Sequence, residues 1–376
     1  MKMTCKYKKK SVYLQKNQNI MSVKTPTIKI TKTSNSKLNK VDFDNLPFGK
    51  HFADHMFEID YADGKWGEPT IVPFGNLSLH PATSALHYGQ AIFEGLKAQR
   101  GPNGEILVFR PDMNAKRFNE SAKRMSMAEL PEEIFLEGLR ALLDVDQDWV
   151  PKKDGQSLYI RPYMIATDDY VGIRPSEKYK FLIICSPVGG YYTEAVPVKI
   201  ETEFTRAAEG GVGRAKVAGN YGSSLYPAML AAEQGYRQLV WTDAKTHTLI
   251  EEAGTMNIIF VINDVIITPS EEKDTILKGI TKRSILTVAE DWGYKIEERE
   301  VTIVEIIDAL KNGTLQDAFG AGTAATIAPI SLIGYDGVDY DLPAESTRTF
   351  SNKLKEYMTD YKKGRVEDKF NWLMTV

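Results

Sequence analysis

The feature that most constrains this fold is the mixture of short apolar runs and helical patterns that begins after residue 42. In the first half the apolar runs are ILVFR, SLYIRPYMI and FLIICSPVGG, separated by turn residues, and helical periodicity occurs at 112–126 and 132–143. The runs have the length of buried strands, but strand and helix do not alternate strictly. The pattern therefore predicts an α+β or mixed α/β fold.

The second half of the chain has clearer element boundaries. Residues 223–234 predict a helix, and the run QLVWT after it predicts a strand. Asn263–Asp264 lies between two apolar runs, which is typical of a two-residue β-hairpin. Residues 281–292 have the spacing of an amphipathic helix, and Thr302 with Glu305 forms a capping box at the start of another.

The length of 376 residues predicts two domains. Residues 1–40 contain eleven lysines and no acidic residue, and we expect a disordered basic tail there. The rest of the chain has 36 basic and 50 acidic side chains, so it is acidic. The pattern breaks at 194–200, which predicts an interdomain loop between a small N-terminal domain at 41–193 and a larger domain at 201–376.

Composition excludes several classes of protein. No run of eighteen apolar residues is present, and the net charge of −3 argues against nucleic acid as the main partner. Cys5 and Cys185 are too few for a disulfide scaffold, and they fit a reducing, cytoplasmic compartment. His51 and His55 have no third ligand nearby in sequence, so we predict no metal site.

The segment Gly320–Ala325 matches the G-x-G-x-x-[GA] fingerprint of dinucleotide-binding loops, and Asp341 follows at a suitable distance. A true fingerprint opens a helix, whereas Pro329 stands where that helix would run. A nicotinamide-dependent oxidoreductase therefore remains an alternative of another class, although the same loop would also bind an anion.

A second group of residues points to pyridoxal phosphate (PLP) chemistry. Lys216 stands among glycines and alanines that would let a flat ligand reach its amine, and Tyr221 follows five residues later. Glu251 and Glu252 lead into an apolar strand, where an acid needs a cationic partner such as a protonated pyridine. The helix that begins after Gly279 offers free N–H groups to a phosphate. These are the requirements of a PLP site.

The chain resembles the branched-chain amino acid aminotransferases, PLP enzymes of the class IV, D-amino acid aminotransferase-like fold. The resemblance covers about residues 43–376 and rests on nine segments in family order: FGKHFADHMF, LHYGQAIFEGLKA, FRPDMNAKRF, LYIRPYM, PVGGYY, KVAGNYG, EEAGTMNIIF, LKGITKRS and FGAGTAA. It implies a small N-terminal α/β domain, a larger C-terminal barrel-like α/β domain that binds PLP, and a homodimer. It also implies transamination of leucine, isoleucine and valine with 2-oxoglutarate.

The same resemblance implies how the cofactor is held. Lys216 is similar to the Schiff-base lysine that also moves the substrate proton, and Glu252 to the carboxylate on the pyridine nitrogen, with Glu251 facing solvent. Tyr221 resembles the phenol on the cofactor's O3′, and Arg117 the arginine on its phosphate. The other implied cofactor-binding residues are Thr255, Ile280, Thr281 and Thr323.

The substrate side of the site is implied in the same way. Arg161 is expected to bind the γ-carboxylate of glutamate or 2-oxoglutarate, and the N–H groups of Thr323 and Ala324 the α-carboxylate. Val171 and Ile173 belong to a loop that caps the partner subunit's site. The apolar side-chain pocket is expected to contain Phe48, Tyr88, Phe93, Tyr159, Tyr191, Thr255 and Ala324.

Other functions stay open at this point. A D-amino acid aminotransferase or an aminodeoxychorismate lyase would share the fold and the cofactor, although the YIR and GTMN segments weigh against both. A non-catalytic binding protein with a basic tail is the third class, besides the oxidoreductase. Ala325 and Ala328 replace the C-x-x-C of some animal relatives, so no thiol redox switch is expected.

Overall fold

The computed structural model describes residues 27–190, 194–324 and 326–376. The predictions for residues 1–26 and for Tyr191 therefore lie outside the described residues. The strands are β1 Lys29–Ile30, β2 His55–Ala62, β3 Lys65–Trp66, β4 Thr70–Pro73, β5 Ala91–Phe93, β6 Leu96–Arg100, β7 Ile106–Phe109, β8 Ser157–Ala166, β9 Tyr179–Val188, β10 Val196–Ile200, β11 Gln238–Thr242, β12 Ile250–Ala253, β13 Met256–Ile262, β14 Val265–Pro269, β15 Lys295–Arg299, β16 Leu315–Gly322, β17 Thr326–Tyr335, β18 Val338–Asp341 and β19 Leu373–Thr375. The helices are α1 Ser84–Tyr88, α2 Pro111–Arg124, α3 Glu132–Val145, α4 Ala218–Gly222, α5 Leu225–Glu233, α6 Ile280–Asp291, α7 Ile303–Lys311 and α8 Thr349–Lys362, with 3-10 turns at Leu38–Lys40, Gln147–Trp149 and Glu345–Thr347.

The first sheet has ten strands in the order β1-β4-β2-β9-β8-β6-β7-β19, with β3 beside β2 and β5 beside β8. Its centre is the long antiparallel pair β8 and β9, and these are the apolar runs SLYIRPYMI and FLIICSPV. Helices α2 and α3 cover one face, where the rings of Phe118, Phe135 and Phe181 contact one another. Burial of this apolar surface stabilises the N-terminal half.

The second sheet has nine strands, and six of them close into a ring. The order is β12-β11-β10-β17-β16-β13-β14-β15, with β18 beside β17, and β12 also pairs with β13. That extra pairing joins the end of the row to its sixth strand, so β10 to β13, β16 and β17 form a small barrel. The mixed α/β class with a barrel-like C-terminal part is thus confirmed.

The C-terminal segment returns to the first sheet. After α8, strand β19 pairs with β7, with Leu373 opposite Phe109. The rings of Phe109 and Trp372 meet edge to face at 5.6 Å between centroids. The two sheets are therefore linked by the end of the chain as well as by the segment before β10, and the domain boundaries stay a prediction.

The local predictions of the second half are largely confirmed. Strands β13 and β14 pair through Asn263 and Asp264, which both have the positive φ of a two-residue hairpin turn. Thr302 caps α7, because its hydroxyl accepts a hydrogen bond from the backbone N–H of Glu305 at 3.1 Å. The helix predicted at 223–234 is α5, which begins two residues later and ends one residue earlier, and the short helix α4 before it was not predicted.

Two predictions of irregular structure, the part of the basic tail from residue 27 onward and the interdomain loop, are wrong. Residues 27–40 of the expected disordered tail are ordered: β1 pairs with β4, and the backbone N–H of Lys37 donates to Asp54 at 2.8 Å. These contacts could not be recognised in the sequence, because Asp54 lies in a different segment. The interdomain loop at 194–200 is strand β10 from residue 196 onward, since the alternation of Val196, Val198 and Ile200 places three apolar side chains in the core.

None of the helices in the described ranges is both long enough and apolar enough to cross a membrane.

Candidate active site

Lys216 lies where the two halves of the chain meet. Its backbone N–H donates to the Ser121 hydroxyl at 3.0 Å, and its carbonyl accepts from the backbone N–H of Phe93 at 3.1 Å. Both partners belong to the N-terminal half, so the lysine is fixed from across the cleft. Its Nζ lies 2.7 Å from the hydroxyl of Tyr221, on the short helix α4, and 4.8 Å from the centroid of the Phe93 ring. The structure thus brings Lys216 and Tyr221, both singled out in the sequence, into direct contact.

Glu252 is a buried carboxylate on β12, one wall of the barrel. Oε2 lies 2.8 Å from the Arg206 guanidinium, while Oε1 accepts from Asn257 Nδ2 at 3.1 Å and from the Leu277 backbone N–H at 2.9 Å. Burial raises the pKa of Glu252, although the charge of Arg206 opposes that shift. Arg206 was not predicted from the sequence, where nothing distinguishes it from a surface arginine.

The expectation that Glu251 faces solvent is wrong. Its side chain is buried, and Oε1 accepts a hydrogen bond from the Thr275 hydroxyl at 2.6 Å. Successive residues of a strand point to opposite faces. Both faces of β12 are covered at this point, because Thr275 contacts Glu251 and Leu277 contacts Glu252, so neither acid reaches solvent. Burial raises the pKa of Glu251 as well.

Arg117 is held by a partner that was not predicted, Glu94. The two side chains form a bidentate ion pair, with Arg117 Nε to Oε1 and Nη2 to Oε2 both at 2.8 Å. Asn114 Nδ2 donates to Glu94 at 2.7 Å, and Arg117 Nη1 donates to the carbonyl of Lys278 at 3.0 Å. Burial would raise the pKa of Glu94, but Arg117 outweighs it and holds that pKa below its ordinary value. An acid inside the apolar run AIFEGL was the available signal.

Helix α6 begins beside this ion pair with free backbone donors. Gly279 precedes Ile280, and no side chain of the described residues caps the first turn. The positive end of a helix with free N–H groups attracts anions. Ile280, Thr281 and Thr323 line a small cavity of about 40 Å³ that also reaches Arg117, Lys216 and Glu252. A phosphate-sized anion in this cavity would lie between the helix, the arginine and the hydroxyl of Thr323.

The cleft above Lys216 is the large cavity of the site, with a volume of about 610 Å³. Among its lining residues are the predicted Phe48, Phe93, Tyr159, Arg161, Lys216, Tyr221, Thr255, Thr323 and Ala324, together with Tyr163 and Ile184, which were not predicted.

Arg161 is the single arginine among the described residues that line this cleft. Its guanidinium lies 4.6 Å from the centroid of Phe93, and Nη2 donates to the Tyr159 hydroxyl at 2.9 Å. Its buried Nε has no acceptor within the ranges that the structure describes. The pocket therefore offers aromatic surface to an aliphatic side chain and the positive charge of a guanidinium to a carboxylate.

Three predicted substrate residues are not brought to this cleft. Tyr88, Val171 and Ile173 are exposed, and the Tyr88 hydroxyl donates to the carbonyl of Val171. They form one surface group outside the cavity of their own chain, and their part in substrate binding stays a prediction that needs a second subunit.

The nicotinamide alternative is not supported by the fold of the Gly320–Ala325 segment. Gly320 lies on β16, and the segment leads into β17 rather than into a helix, with Phe319 paired to Pro329. A dinucleotide-binding loop needs the N-terminus of a helix for the pyrophosphate. The hairpin instead places Thr323 and Ala324 along the cleft.

The geometry thus combines a lysine amine beside a phenol, a buried carboxylate paired with arginine, and an anion-binding helix start, below a mixed aromatic and cationic pocket. A lysine amine in such a cleft can bind a carbonyl group and move a proton. A buried carboxylate can hold a cationic ring in place.

Comparisons with known proteins give a consistent result. The family model for amino-transferase class IV matches residues 91–333. The "Branched-chain-amino-acid aminotransferase 2" of Bacillus subtilis is 45% identical over 354 residues, which are 93% of this chain and 97% of that relative.

Two solved structures share the fold. The branched-chain aminotransferase of Thermoproteus uzoniensis, solved with norvaline, has a TM-score of 0.71 at 25% identity and covers 84% of this chain and 98% of its own. The branched-chain amino acid aminotransferase of Escherichia coli has a TM-score of 0.70 at 24% identity and covers 85% and 98%.

Proposed function

The chain belongs to the amino-transferase class IV family, and we propose that it transfers the amino group between leucine, isoleucine or valine and 2-oxoglutarate with PLP as cofactor. The observation that carries this proposal is the contact of Lys216 Nζ with the Tyr221 hydroxyl, beside the small cavity that Lys216 and the buried Glu252 both line. The name of the Bacillus subtilis relative supports the substrate class.

The residues present fit PLP. Glu252 Oε2 contacts the Arg206 guanidinium, and a carboxylate oxygen has two lone pairs, so it can still accept from a protonated pyridine nitrogen. Arg117, the N–H groups of Ile280 and Thr281, and the Thr323 hydroxyl would hold the phosphate. When bound, PLP supplies an electron sink for the pair of electrons left on the substrate α-carbon.

Side chains of this protein would perform the remaining steps. Lys216 Nζ would hold PLP in the resting enzyme, and as a free amine it would carry the proton that leaves the substrate α-carbon. The Tyr221 hydroxyl stabilises that amine through the 2.7 Å contact. The charge of Arg206 favours the anionic form of Glu252 and opposes the effect of burial, and a carboxylate at this place would favour the protonated form of a pyridine nitrogen.

Substrate selection follows from the pocket that contains Arg161. The rings of Phe48, Phe93 and Tyr159 exclude water around an aliphatic side chain. The Arg161 guanidinium, which lines the cleft, would bind the γ-carboxylate of 2-oxoglutarate. One pocket can thereby accept both classes of side chain in turn. The N–H groups of Thr323 and Ala324 would bind the α-carboxylate that both substrates share.

We also propose a cytoplasmic homodimer. Val171 and Ile173 are 58% and 92% exposed, which is unusual for apolar side chains that belong to one surface group with Tyr88. In a dimer, Val171 and Ile173 of one subunit would be covered by the partner subunit and would lie over the partner's cleft. Light scattering should give twice the chain mass of 42.2 kDa; a monomer with full activity would contradict the proposal.

The test of the PLP site is chemical. Reduction of the purified protein with borohydride, followed by peptide mass spectrometry, should find a phosphopyridoxyl group on Lys216, and Lys216→Ala should lose both adduct and turnover. The matched control is Lys199→Met, since Lys199 Nζ lies 2.9 Å from the Gln234 side chain on the outside of the barrel. No adduct in the wild type would refute the cofactor assignment. Reaction with D-alanine but not leucine would refute the substrate class.

A further inference from the structure

Two lysines next to the active site lack an acidic partner among the described residues. Lys362, the last residue of α8, is buried, and Lys97 on β6 is partly buried. Burial lowers the pKa of Lys97 to about 8 and that of Lys362 to about 7. Cations are rarely placed in such surroundings, because their desolvation is costly unless a specific contact compensates.

Both lysines donate to the same hairpin turn. Lys97 Nζ lies 2.5 Å from the carbonyl oxygen of Ala324, and Lys362 Nζ lies 2.9 Å from the Thr326 hydroxyl. Thr326 has a φ of +62°, a left-handed conformation that is unfavourable for a β-branched residue. The turn between β16 and β17 is thus strained, and it is supported from outside by two side chains that are distant in sequence.

The supported turn is a wall between two cavities. On one side Thr323 and Ala324 line the substrate cleft above Lys216. On the other side Thr323 lines a cavity of about 30 Å³ together with Lys97 and Lys362. A shift of the turn away from the lysines would therefore move the Thr323 and Ala324 backbone relative to the cleft.

We propose that Lys97 and Lys362 are positioning residues that hold this turn where its N–H groups bind the substrate α-carboxylate. The inference rests on the proposed transamination, and it adds two residues that touch neither substrate nor cofactor. Hydrogen-bond donors must be placed within a fraction of an ångström to be effective, so loss of either contact weakens recognition of the carboxylate. The amino group and the aliphatic side chain of the substrate do not depend on this turn.

A comparison of two amino donors, one with an α-carboxylate and one without it, distinguishes this role from general support of the fold. Leucine and 3-methylbutylamine have the same side chain and amino group, but only leucine has the α-carboxylate. In single-turnover reactions of the holoenzyme, Lys97→Met and Lys362→Met should lower kcat/KM for leucine about 10- to 100-fold. The rate with 3-methylbutylamine should change less than about twofold, and Lys199→Met should change neither rate.

Two further measurements make the test independent of turnover. The Kd of 4-methylvalerate, measured by the absorbance of the holoenzyme, should rise in each variant by about the factor by which kcat/KM for leucine falls. The reason is that this acid also carries the carboxylate. Lys97→Arg keeps a donor for the Ala324 carbonyl and should recover most of the binding. If Lys362→Met does not fold, the two Lys97 variants decide the question.

The contrary outcomes are distinct. Equal losses with both amines would mean that the lysines only support the fold, which overturns the proposal. A lower affinity for PLP, with an unchanged ratio of the rates for leucine and 3-methylbutylamine, would also overturn the proposal. It would mean that the lysines act on the phosphate site, since Ile280 and Thr281 line the same cavity of about 30 Å³ as Lys97 and Lys362. If the wild type does not react with leucine, the proposed substrate class fails instead, and the comparison is made with a reactive amino acid and its decarboxylated amine.

Discussion

Removal of the charge on Glu94 should reveal how much the buried ion pair with Arg117 contributes. In Glu94→Gln an NH2 group replaces one of the two carboxylate oxygens. This NH2 group would face a guanidinium nitrogen of Arg117, which in the wild type lies 2.8 Å from a carboxylate oxygen. Arg117 is only 8% exposed, so water cannot replace the lost contact. Breaking a buried pair from one side costs about 3 to 5 kcal/mol. At about 2 to 4 °C per kcal/mol, the Tm of the apoprotein should fall by roughly 6 to 20 °C.

The cofactor should partly offset this loss. If Arg117 binds the phosphate of PLP, the bound dianion compensates the charge that the variant leaves unpaired. The difference in Tm between apoprotein and holoprotein should therefore be larger in Glu94→Gln than in the wild type. Scanning calorimetry of both forms measures it. The control is Glu137→Gln, which removes an exposed pair with Arg140 at 3.9 Å and should cost less than about 1 kcal/mol.

Two results would refute this reasoning. An apoprotein Tm within about 2 °C of the wild type would show that the pair contributes little beyond its desolvation cost. A gap between apoprotein and holoprotein that does not widen would show that Arg117 does not contact the phosphate. The double variant Glu94→Leu with Arg117→Met tests the electrostatic explanation separately, because replacing both partners with apolar groups should restore much of the stability.

Three further changes have defined outcomes. Arg206→Met removes the cation beside Glu252, so the pKa of that carboxyl rises and the acidic limb of the kcat profile should move to higher pH; an unchanged profile would contradict the pairing. Lys362 has its pKa lowered to about 7 in the fold from 10.5, so the unfolded chain binds more protons between these values and stability rises with pH there. The Tm of Lys362→Met relative to wild type should accordingly decrease from about pH 6 to about pH 9, and a constant difference would refute the shift. Thr302→Ala removes the cap of α7 and should lower the free energy of unfolding by about 1 kcal/mol in urea titration, whereas no loss would mean that the cap is unimportant.

The order of secondary structure could be predicted wherever neighbouring residues decide it. The apolar run in QLVWT, the hairpin at Asn263–Asp264 and the cap at Thr302 depend on side chains within a few positions of one another, so they are visible in a single segment. Lys216, Tyr221 and Glu252 could be proposed for a related reason, because their immediate surroundings are unusual for a charged or phenolic side chain.

The partners of these residues could not be predicted. Glu94 meets Arg117, Arg206 meets Glu252, and Lys97 meets the carbonyl of Ala324, 227 residues away, only after the two sheets have formed. Whether an acid is buried is likewise decided by what covers its strand. The exposure of Glu251 was predicted wrongly for that reason. The order of residues 27–40 was missed because their partner, strand β4, lies about forty residues further along the chain.

Local periodicity and residue type were enough to predict most of the elements, the mixed α/β class and the unusual surroundings of Lys216 and Glu252. Which charge lies beside which followed from the fold alone, since sheet register and barrel closure bring together segments that are far apart in the chain. The pKa values, the strain at Thr326 and the support of the carboxylate-binding turn all depend on that juxtaposition.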